Sequence, residues 1–527
     1  MTTLFRAYGN RVLAGVTGIA IIALFARIMS FPVRHDEQMY VPVGMLLRHG
    51  DLYRDFGFNN LPNLALLLGL SVELTGTDHY LLAGRLVIFA AWLLALVAMG
   101  LLVFRASRSL TASLLAALLI VTNPVLIGPA GMLATNNFLP LPFALAATAL
   151  LIAGLDRSAP RPWLIAGAGV CVGIAAGFKA NYAYLIPLFG VTALMVPWRS
   201  GWRIWALRSI VPLALGGIVG SLPVLYYLLR DPHGFLVHVV HYHRGPHIAY
   251  WMANLSLDGE KIMTFPGKVA LAAKVWIGGG VGFIFATAAV LGWMAMRDHN
   301  ARRDAPRRAA WPIWLLIAII AGGIFMSFVP TPSFPQYYVP PIPFVIALAA
   351  MLYGRLGSAR QTVIAPYLLV AAAGVALWGM PRLVIKLPQL AHPAEWAGNI
   401  VHAAGVKLAD HVRANDVSGP VATLAPLYPM EGGLPLYTEL TAGPLVYRVG
   451  DLIPAEDRPY YRLISPTSIG RLLESQPPAA ILVGQEGDLD APFLAYARQH
   501  GYRLVEPELV NDRYGKASLY LRPVEKR

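Results

Sequence analysis

The sequence has a single cysteine, few charged residues and none of the common nucleotide or zinc-protease motifs. Cys171 lies inside an apolar run, so disulfide bonds within the chain are excluded and any exported part folds without them. Charged residues make up only 13% and hydrophobic residues 57% of the chain, whereas an average soluble protein has roughly 25% charged residues. No Walker-type phosphate loop and no H-E-x-x-H motif is present, which argues against ATP-driven transport and zinc metalloprotease chemistry.

Eleven apolar runs dominate the first three quarters of the chain. A bilayer core roughly 30 Å thick needs about 20 apolar residues per helix, and each run meets or approaches that length. The runs cover residues 12–31, 81–104, 110–127, 139–155, 163–178, 182–196, 210–229, 269–296, 311–329, 339–353 and 362–380. We therefore predict an α-helical polytopic membrane protein with about 11 transmembrane helices. The first run has no small-residue cleavage site, so we expect it to stay as an anchor.

Basic residues cluster at the N-terminus and in every second interruption between the runs. The clustered residues are Arg6, Arg11, Arg105, Arg108, Arg157, Arg161, Arg199, Arg203, Arg208, Arg297, Arg302, Arg303, Arg307, Arg308, Arg355 and Arg360. By the positive-inside rule these segments face the cytoplasm, which predicts a multi-pass protein of the plasma (inner) membrane with a cytoplasmic N-terminus. The net charge of +14 is then explained by topology, and we expect no nucleic-acid partner.

An odd number of spans places the C-terminus on the outer side of the membrane. We predict a transmembrane domain over residues 1–385, with its first outer loop at 32–80, and an extracytoplasmic domain over residues 386–527. In the second part, short apolar strands alternate with helical segments, which is typical of a small α/β domain. Its segment 428–461 is rich in proline, glycine and aromatic residues, as befits either a loop over a binding cleft or an ordinary long connection.

Polar residues are concentrated in the first outer loop and recur at the outer ends of later runs. Asp36 and Glu37 directly follow the first span, and Tyr40 comes three residues later. The other motifs are Gly50-Asp51-Leu52-Tyr53-Arg54-Asp55, Asn59-Asn60-Leu61-Pro62, Ala83-Gly84-Arg85-Leu86, Ala176-Gly177-Phe178-Lys179 and Pro335-Gln336-Tyr337-Tyr338-Val339-Pro340.

Together these motifs resemble the polyprenyl-phosphate-sugar-dependent glycosyltransferases of the C-type superfamily, which include protein mannosyltransferases and lipid A aminoarabinose transferases. The resemblance implies the C-type glycosyltransferase fold and a polyprenyl-phosphate-linked sugar donor. It also implies a lipid, glycan or protein acceptor at the outer face, among membrane lipids. Asp36 matches the catalytic aspartate of the family and Glu37 its support. Several members carry an acid or a histidine where this chain has Asn59 and Asn60.

The chemistry explains why such residues are needed. A carboxylate within reach of an acceptor hydroxyl serves as general base, which we assign to Asp36 with Glu37 beside it. Both acids also suit a cap of the following helix. For the donor phosphate we expect Lys179, Arg85 and Arg244, although snorkelling to lipid headgroups explains the same cations. The predicted substrate-binding residues are Tyr40, Asp55, Asn59, Asn60, His243, Gln336, Tyr337 and Tyr338.

Five histidines in the segment after the seventh run have three interpretations. They are His233, His238, His241, His243 and His247. They suit a divalent metal bound together with Asp36, a contact to the donor, or an interfacial helix with a belt of tyrosine and tryptophan.

Other functional classes also stay open. A polysaccharide polymerase or ligase would use the same lipid-linked sugars. A secondary transporter or flippase of such lipids is disfavoured, because the polar residues gather at one surface instead of mid-membrane. A structural scaffold is the remaining alternative.

Overall fold

The computed structural model describes residues 2–155, 160–196, 202–255, 261–297 and 310–524. Six of the clustered arginines lie outside the described residues: Arg157, Arg199, Arg302, Arg303, Arg307 and Arg308. The chain is mostly helical, and a small sheet is present near its C-terminus.

The helices of the first 385 residues follow the predicted apolar runs and add shorter ones. In chain order they are α1 (Thr2–Ser30), α2 (His35–Leu46), α3 (Asn63–Thr75), α4 (Tyr80–Ser107), α5 (Leu110–Val121), α6 (Pro140–Leu155), α7 (Pro162–Phe178), α8 (Leu185–Met195), α9 (Trp202–Trp205), α10 (Val211–Gly220), α11 (Leu222–Arg230), α12 (Pro232–Leu236), α13 (Tyr242–Arg244), α14 (Pro246–Ala253), α15 (Phe265–Gly278), α16 (Val281–Arg297), α17 (Trp311–Phe328), α18 (Ile342–Tyr353) and α19 (Ser358–Val384).

Two of the predicted spans are bent. The run 210–229 is divided into α10 and α11 at an angle of 65°, and the run 269–296 into α15 and α16 at 72°. The second break falls at Gly279-Gly280, where Gly280 has a φ of +75° that favours glycine. Within the described residues, five helices are long and apolar enough to cross a membrane, or seven if each bent pair counts as one span, and five more apolar helices are shorter. The chain therefore has several membrane-spanning helices, and the number 11 stays a prediction.

Glycines bring α7 and α10 into close contact. A Cβ atom at Gly216 would lie 2.0 Å from the carbonyl oxygen of Ala166, and one at Gly220 would lie 2.1 Å from that of Val170. Small residues at such an interface let two backbones approach closely, which is the usual way to pack helices in a membrane. This pair of helices carries Lys179 at its end, so the packing fixes the position of that residue.

The loop at residues 32–80, which the sequence predicts on the outer side, folds into two helices that lie against the bundle. Helix α2 begins at His35, directly after the first span, and packs against α3 and α4. Helix α3 is largely apolar.

A small mixed sheet forms the C-terminal part. Its strands are β1 (Val421–Ala422), β2 (Ala480–Val483), β3 (Arg503–Asp512) and β4 (Gly515–Leu521), in the order β1-β2-β4-β3. Only β1 and β2 pair in parallel. The helices of this part are α20 (Ala397–Ala414), α21 (Leu427–Glu431), α22 (Pro444–Tyr447), α23 (Ile469–Ser475) and α24 (Ala491–Gln499).

The C-terminal part is joined to the bundle by apolar packing. Gly398 of α20 lies against Leu82 of α4, where a Cβ atom would be 2.8 Å away. Val401 and Leu408 are buried in the same apolar core as the membrane helices. The domain boundary at residue 385 stays a prediction, but the two parts share one continuous core.

Candidate active site

A cavity of about 1870 Å³ lies between the helix ends and the C-terminal part. It is lined by residues of both, drawn from the segments 34–40, 59–61, 124–137, 178–181, 239–254, 326–337, 444–448 and 485–489. The segments from the first 385 residues belong to, or border, the stretches that the arginine pattern places on the outer side. Loops and helix ends that are far apart in the sequence therefore surround the same cavity.

Asp36 faces this cavity from the first turn of α2. Its carboxylate makes no hydrogen bond to the helix terminus. The helix is capped instead by Glu37, whose Oε2 accepts the backbone N–H of Arg34 at 3.4 Å. Of the two roles expected for the acidic pair, the cap thus belongs to Glu37, and Asp36 is left facing the cavity.

Lys179 reaches the same cavity from the end of α7. The helix stops at Phe178, and Lys179 itself is extended, with φ −153° and ψ 120°. Its Nζ donates a hydrogen bond of 2.5 Å to Oδ1 of Asn137 and lies 4.7 Å from the ring centre of Tyr337. The ammonium is therefore held at a fixed place by an amide and an aromatic face.

The charges of Asp36 and Lys179, which both line the cavity, affect each other's pKa. Burial raises the pKa of Asp36, and the positive charge of Lys179 opposes that rise. Burial also lowers the pKa of Lys179 to about 7, against the opposing effect of Asp36. The pKa of each group is thus shifted toward neutral pH, which is common for ionisable groups at functional sites.

Glu37 does not line the cavity, and neither does Arg85. Nε and Nη2 of Arg85 donate to the two carboxylate oxygens of Glu37 at 2.6 and 2.7 Å, and both side chains are 0% exposed. Nη1 of Arg85 donates to the carbonyl of Ile28, and Oε1 of Glu37 accepts the N–H of Ala134. This position contradicts the expected phosphate contact of Arg85, because a buried and fully paired guanidinium cannot reach a ligand.

Two further predictions are also contradicted by position. Asp55 pairs with Arg54 at 3.0 Å and accepts the N–H of Asp51, outside the cavity. Tyr338 is 0% exposed, and its hydroxyl donates to the carbonyl of Lys268. Both residues hold the local structure instead of contacting a substrate in the cavity.

The other predicted residues line the cavity: Tyr40, Asn59, Asn60, His243, Arg244, Gln336 and Tyr337. Asn60 accepts a hydrogen bond from the amide of Asn136. His243 is held at 2.6 Å from the carbonyl oxygen of Asn59. Neither polar atom of the buried Asn59 side chain has a hydrogen-bond partner. Such a group is costly unless something pairs with it, so Asn59 is available to a ligand.

The histidine-rich segment is not assembled into a metal site with Asp36. Among the described residues, no group of three histidines or acids with metal-binding spacing includes any of these histidines. Instead His241 lies 3.1 Å from Asp457, and His238 bonds the carbonyl of Gly234 within its own helical turn. His243 and His247 line the cavity. A donor contact is therefore open to these two alone.

Sequence patterns missed the part played by the C-terminal region. Arg448 lines the cavity, lies 4.8 Å from the ring centre of Trp251 and interacts with Asp36. The proline- and aromatic-rich composition of segment 428–461 was the available signal for it.

Within the described residues eight cations line the cavity, namely Arg34, Lys179, Arg244, Lys261, Lys274, Arg382, Arg448 and Arg513. The acids there are Asp36, Glu486 and Asp488.

Solved structures share this architecture. ArnT from Cupriavidus metallidurans bound to undecaprenyl phosphate matches with a TM-score of 0.58 and 16% identity over 98% of each chain. The same protein in the apo state matches with a TM-score of 0.61 and 15% identity over 98% of each chain. These are C-type glycosyltransferase structures.

The chain has the C-type glycosyltransferase fold. A third structure with this fold, the Archaeoglobus fulgidus oligosaccharyltransferase tethered to an acceptor peptide, has a TM-score of 0.50 and 12% identity over 99% of this chain and 75% of that one. No protein-family model and no curated protein sequence matches the chain. The resemblance that the sequence motifs indicate is thereby confirmed at the level of the fold.

Proposed function

We propose that this protein transfers a sugar from a polyprenyl phosphate to a lipid, glycan or protein acceptor at the outer face of the membrane. The observation that carries the proposal is that Asp36 and Lys179 face one large cavity in a C-type glycosyltransferase fold. The ArnT structure bound to undecaprenyl phosphate supports a lipid phosphate as the donor.

In the proposed reaction Asp36 is the general base. Its carboxylate takes the proton of the acceptor hydroxyl while the hydroxyl oxygen forms a bond to the anomeric carbon. The bond between that carbon and the phosphate oxygen breaks, and the electron pair leaves with the lipid phosphate. Attack opposite to the leaving group inverts the anomeric centre. A carboxylate with a raised pKa is suited to this role because it accepts a proton more readily near neutral pH.

Lys179 is the proposed partner of the leaving phosphate. Negative charge grows on the phosphate oxygen as the bond breaks, and a cation already held in place stabilises it without reorganisation. Asn137 and Tyr337 hold the ammonium in the structure. Arg448 adds a second positive charge from the C-terminal side.

Topology is part of the proposal. The cavity collects segments that the arginine pattern places outside, so donor and acceptor would meet at the non-cytoplasmic surface, beneath the C-terminal part. Reporter fusions within residues 32–80 and after residue 386 test this arrangement. A cytoplasmic signal from both positions would contradict it.

The decisive experiment incubates the purified protein with a panel of lipid-phosphate sugars, together with lipid, glycan and peptide acceptors, and follows the free lipid phosphate by mass spectrometry. We expect release with at least one donor, and loss of release by at least about 100-fold in Asp36→Asn, within the range of general-base catalysis. Asp55→Asn is the matched control, because that acid lies in the same loop but outside the cavity.

Each outcome of this experiment discriminates between functions. A transporter or flippase releases no lipid phosphate from any donor. A polymerase or ligase gives products that lengthen a glycan or join one to a new carrier. Equal activity of Asp36→Asn and Asp55→Asn would overturn the assignment of the base.

A further inference from the structure

Five asparagines that line the cavity belong to three loops, before α3, before α6 and after α7. They are Asn59, Asn60, Asn136, Asn137 and Asn181. Four of them are at most 8% exposed, and Asn60 is half-buried. An asparagine side chain is uncharged and offers both a hydrogen-bond donor and an acceptor. The wall of the cavity therefore presents neutral amides close to the proposed reaction centre.

Four of these asparagines form a connected arc that begins at Lys179. Nζ of Lys179 donates to Oδ1 of Asn137 at 2.5 Å. Nδ2 of the preceding residue, Asn136, donates to Oδ1 of Asn60 at 3.1 Å, and Asn59 is the neighbour of Asn60 in the chain. We call Asn59, Asn60, Asn136 and Asn137 the asparagine arc. It places amides beside the cation that is the proposed partner of the donor phosphate.

Part of the hydrogen-bonding capacity of these amides is unused. Within the described part of the chain, neither Nδ2 nor Oδ1 of Asn59 has a hydrogen-bond partner, and neither has Oδ1 of Asn181. The backbone of Asn59 is held, because its carbonyl oxygen lies 2.6 Å from Nε2 of His243. A buried polar atom without a partner is costly and needs an explanation. A sugar hydroxyl, which donates and accepts, supplies a partner for either amide atom.

We propose that the asparagine arc binds the sugar of the donor and selects one that carries uncharged hydroxyl groups. This inference rests on the proposed function and adds the class of sugar to it. Because the phosphate of the donor is attached to the anomeric carbon, a phosphate at Lys179 brings the sugar ring next to the arc. Asn59 and Asn60 are then the residues that determine the specificity for the sugar.

A sugar with a protonated amino group finds no available acid in this cavity. Among the described residues that line it, the acids are Asp36, Glu486 and Asp488. Asp36 is the proposed base, Glu486 lies 2.6 Å from Nδ1 of His35, and Asp488 is exposed in a loop of the C-terminal part. The cations that line the cavity outnumber these acids, so a positively charged sugar is repelled.

A sugar carboxylate is disfavoured for a different reason. It would compete with the leaving phosphate for Lys179, the cation that is bonded to the arc. An uncharged sugar leaves Lys179 to the phosphate and Asp36 to the acceptor hydroxyl. The charges at the reaction centre therefore favour a neutral sugar over both charged kinds.

The test uses sets of three lipid-phosphate sugars with one acceptor. The donors of a set differ at a single ring carbon, which carries a hydroxyl, a protonated amino group or hydrogen, and each ring carbon is tested in turn. At one carbon or more, we expect the kcat/KM of the hydroxyl donor to exceed that of the amino donor by at least about 10-fold. It should exceed that of the hydrogen donor by about 10- to 100-fold, because an amide of the arc is then left unpaired.

Variants of the arc separate recognition of the sugar from a structural role. Asn60→Asp keeps an oxygen that accepts the amide of Asn136 and adds a negative charge, so the kcat/KM of the amino donor relative to the hydroxyl donor should rise by at least about 10-fold. A merely structural Asn60 would change all donors alike and leave this ratio constant. Asn59→Leu should reduce the preference for hydroxyl over hydrogen. Asn399→Asp is the matched control, because Asn399 lies on α20 and donates to the carbonyl of Pro393, away from the cavity.

Binding of each donor is measured in parallel by tryptophan fluorescence, which needs no turnover. Trp251 lines the cavity and serves as the probe. If the hydroxyl donor binds most tightly but no donor releases lipid phosphate, the proposed function fails and the selectivity of the arc stands. An amino donor or a uronic acid donor that binds and reacts as well as the hydroxyl donor would overturn the inference. So would an unchanged donor ratio in Asn60→Asp, or no binding of any donor.

Discussion

Replacing Glu37 with glutamine removes a negative charge from a place that solvent does not reach. The carboxylate of Glu37 accepts four hydrogen bonds, two from Arg85 and one each from the backbone N–H groups of Ala134 and Arg34. The guanidinium of Arg85 is 0% exposed, so the variant leaves its positive charge uncompensated. Removing one partner of a buried ion pair costs about 3–5 kcal/mol.

We therefore expect Glu37→Gln to lower the free energy of unfolding by about 3–5 kcal/mol. The measurement is unfolding of the purified protein in mixed detergent and dodecyl sulfate micelles, followed by tryptophan fluorescence. Arg85→Met should show a similar loss, because the carboxylate of Glu37 is then the unpaired charge. In contrast, Asp36→Asn should keep the parent stability and lose the transfer reaction.

A double variant separates a lost pair from a lost charge. Glu37→Leu with Arg85→Met removes both charges, and buried pairs replaced by apolar residues often keep their stability. The double variant should therefore be more stable than either single one. It will not recover fully, because the N–H of Ala134 loses its acceptor, at a cost of about 1–3 kcal/mol.

The opposite result would refute this reasoning about Glu37. If Glu37→Gln unfolds like the parent protein and loses transfer as completely as Asp36→Asn, then Glu37 acts in the reaction. The buried pair would then have no role in stability.

Three further predictions concern the cavity and the helix packing. The kcat/KM of the parent should fall at low pH as Asp36 is protonated and at high pH as Lys179, whose pKa lies at about 7, loses its charge. In Lys179→Arg the fall at high pH should disappear, since a guanidinium stays charged. Arg448→Ala should lower kcat/KM by about 10- to 100-fold, the worth of a charged hydrogen bond, and Arg448→Lys by less. Gly216→Ala should destabilise the protein by about 1–3 kcal/mol through overpacking. Gly217→Ala, where a Cβ meets nothing within 4 Å, should be neutral or stabilising in the same unfolding assay.

The membrane helices and the main residues of the cavity were predictable because their signals are local. An apolar run is recognisable in the sequence without any knowledge of the rest of the chain. A lysine or an aspartate at the end of such a run is rare enough to indicate a function. Lys179 is such a residue, Asp36 matches the catalytic aspartate that the family resemblance implies, and the structure brings both to one cavity. Their roles in the reaction stay proposals.

The buried position of Arg85 and its pairing with Glu37 were not predictable in the same way. An arginine near a helix end looks the same in a sequence whether it binds a phosphate, snorkels to lipid headgroups or pairs with a buried acid. The choice depends on Glu37, which lies 48 positions away. Arg448 was missed for a related reason, since a loop in the C-terminal part carries no periodic pattern that points toward the membrane. The bends in two spans also depend on single glycine or proline positions inside otherwise regular apolar runs.

The position of Asp36 is determined by its two neighbours in the chain, which are anchored in opposite directions. On one side Glu37 is fixed to α4 through Arg85. On the other side His35 is bound to the C-terminal part. Its Nδ1 lies 2.6 Å from Glu486, its ring packs edge-on against Tyr514 with centres 3.5 Å apart, and its backbone N–H donates to the Tyr514 hydroxyl. A displacement of about 1 Å in a reacting group can cost about 100-fold in rate. The C-terminal part therefore does more than cover the cavity. By holding His35, it shares with the membrane helices the task of placing the proposed base.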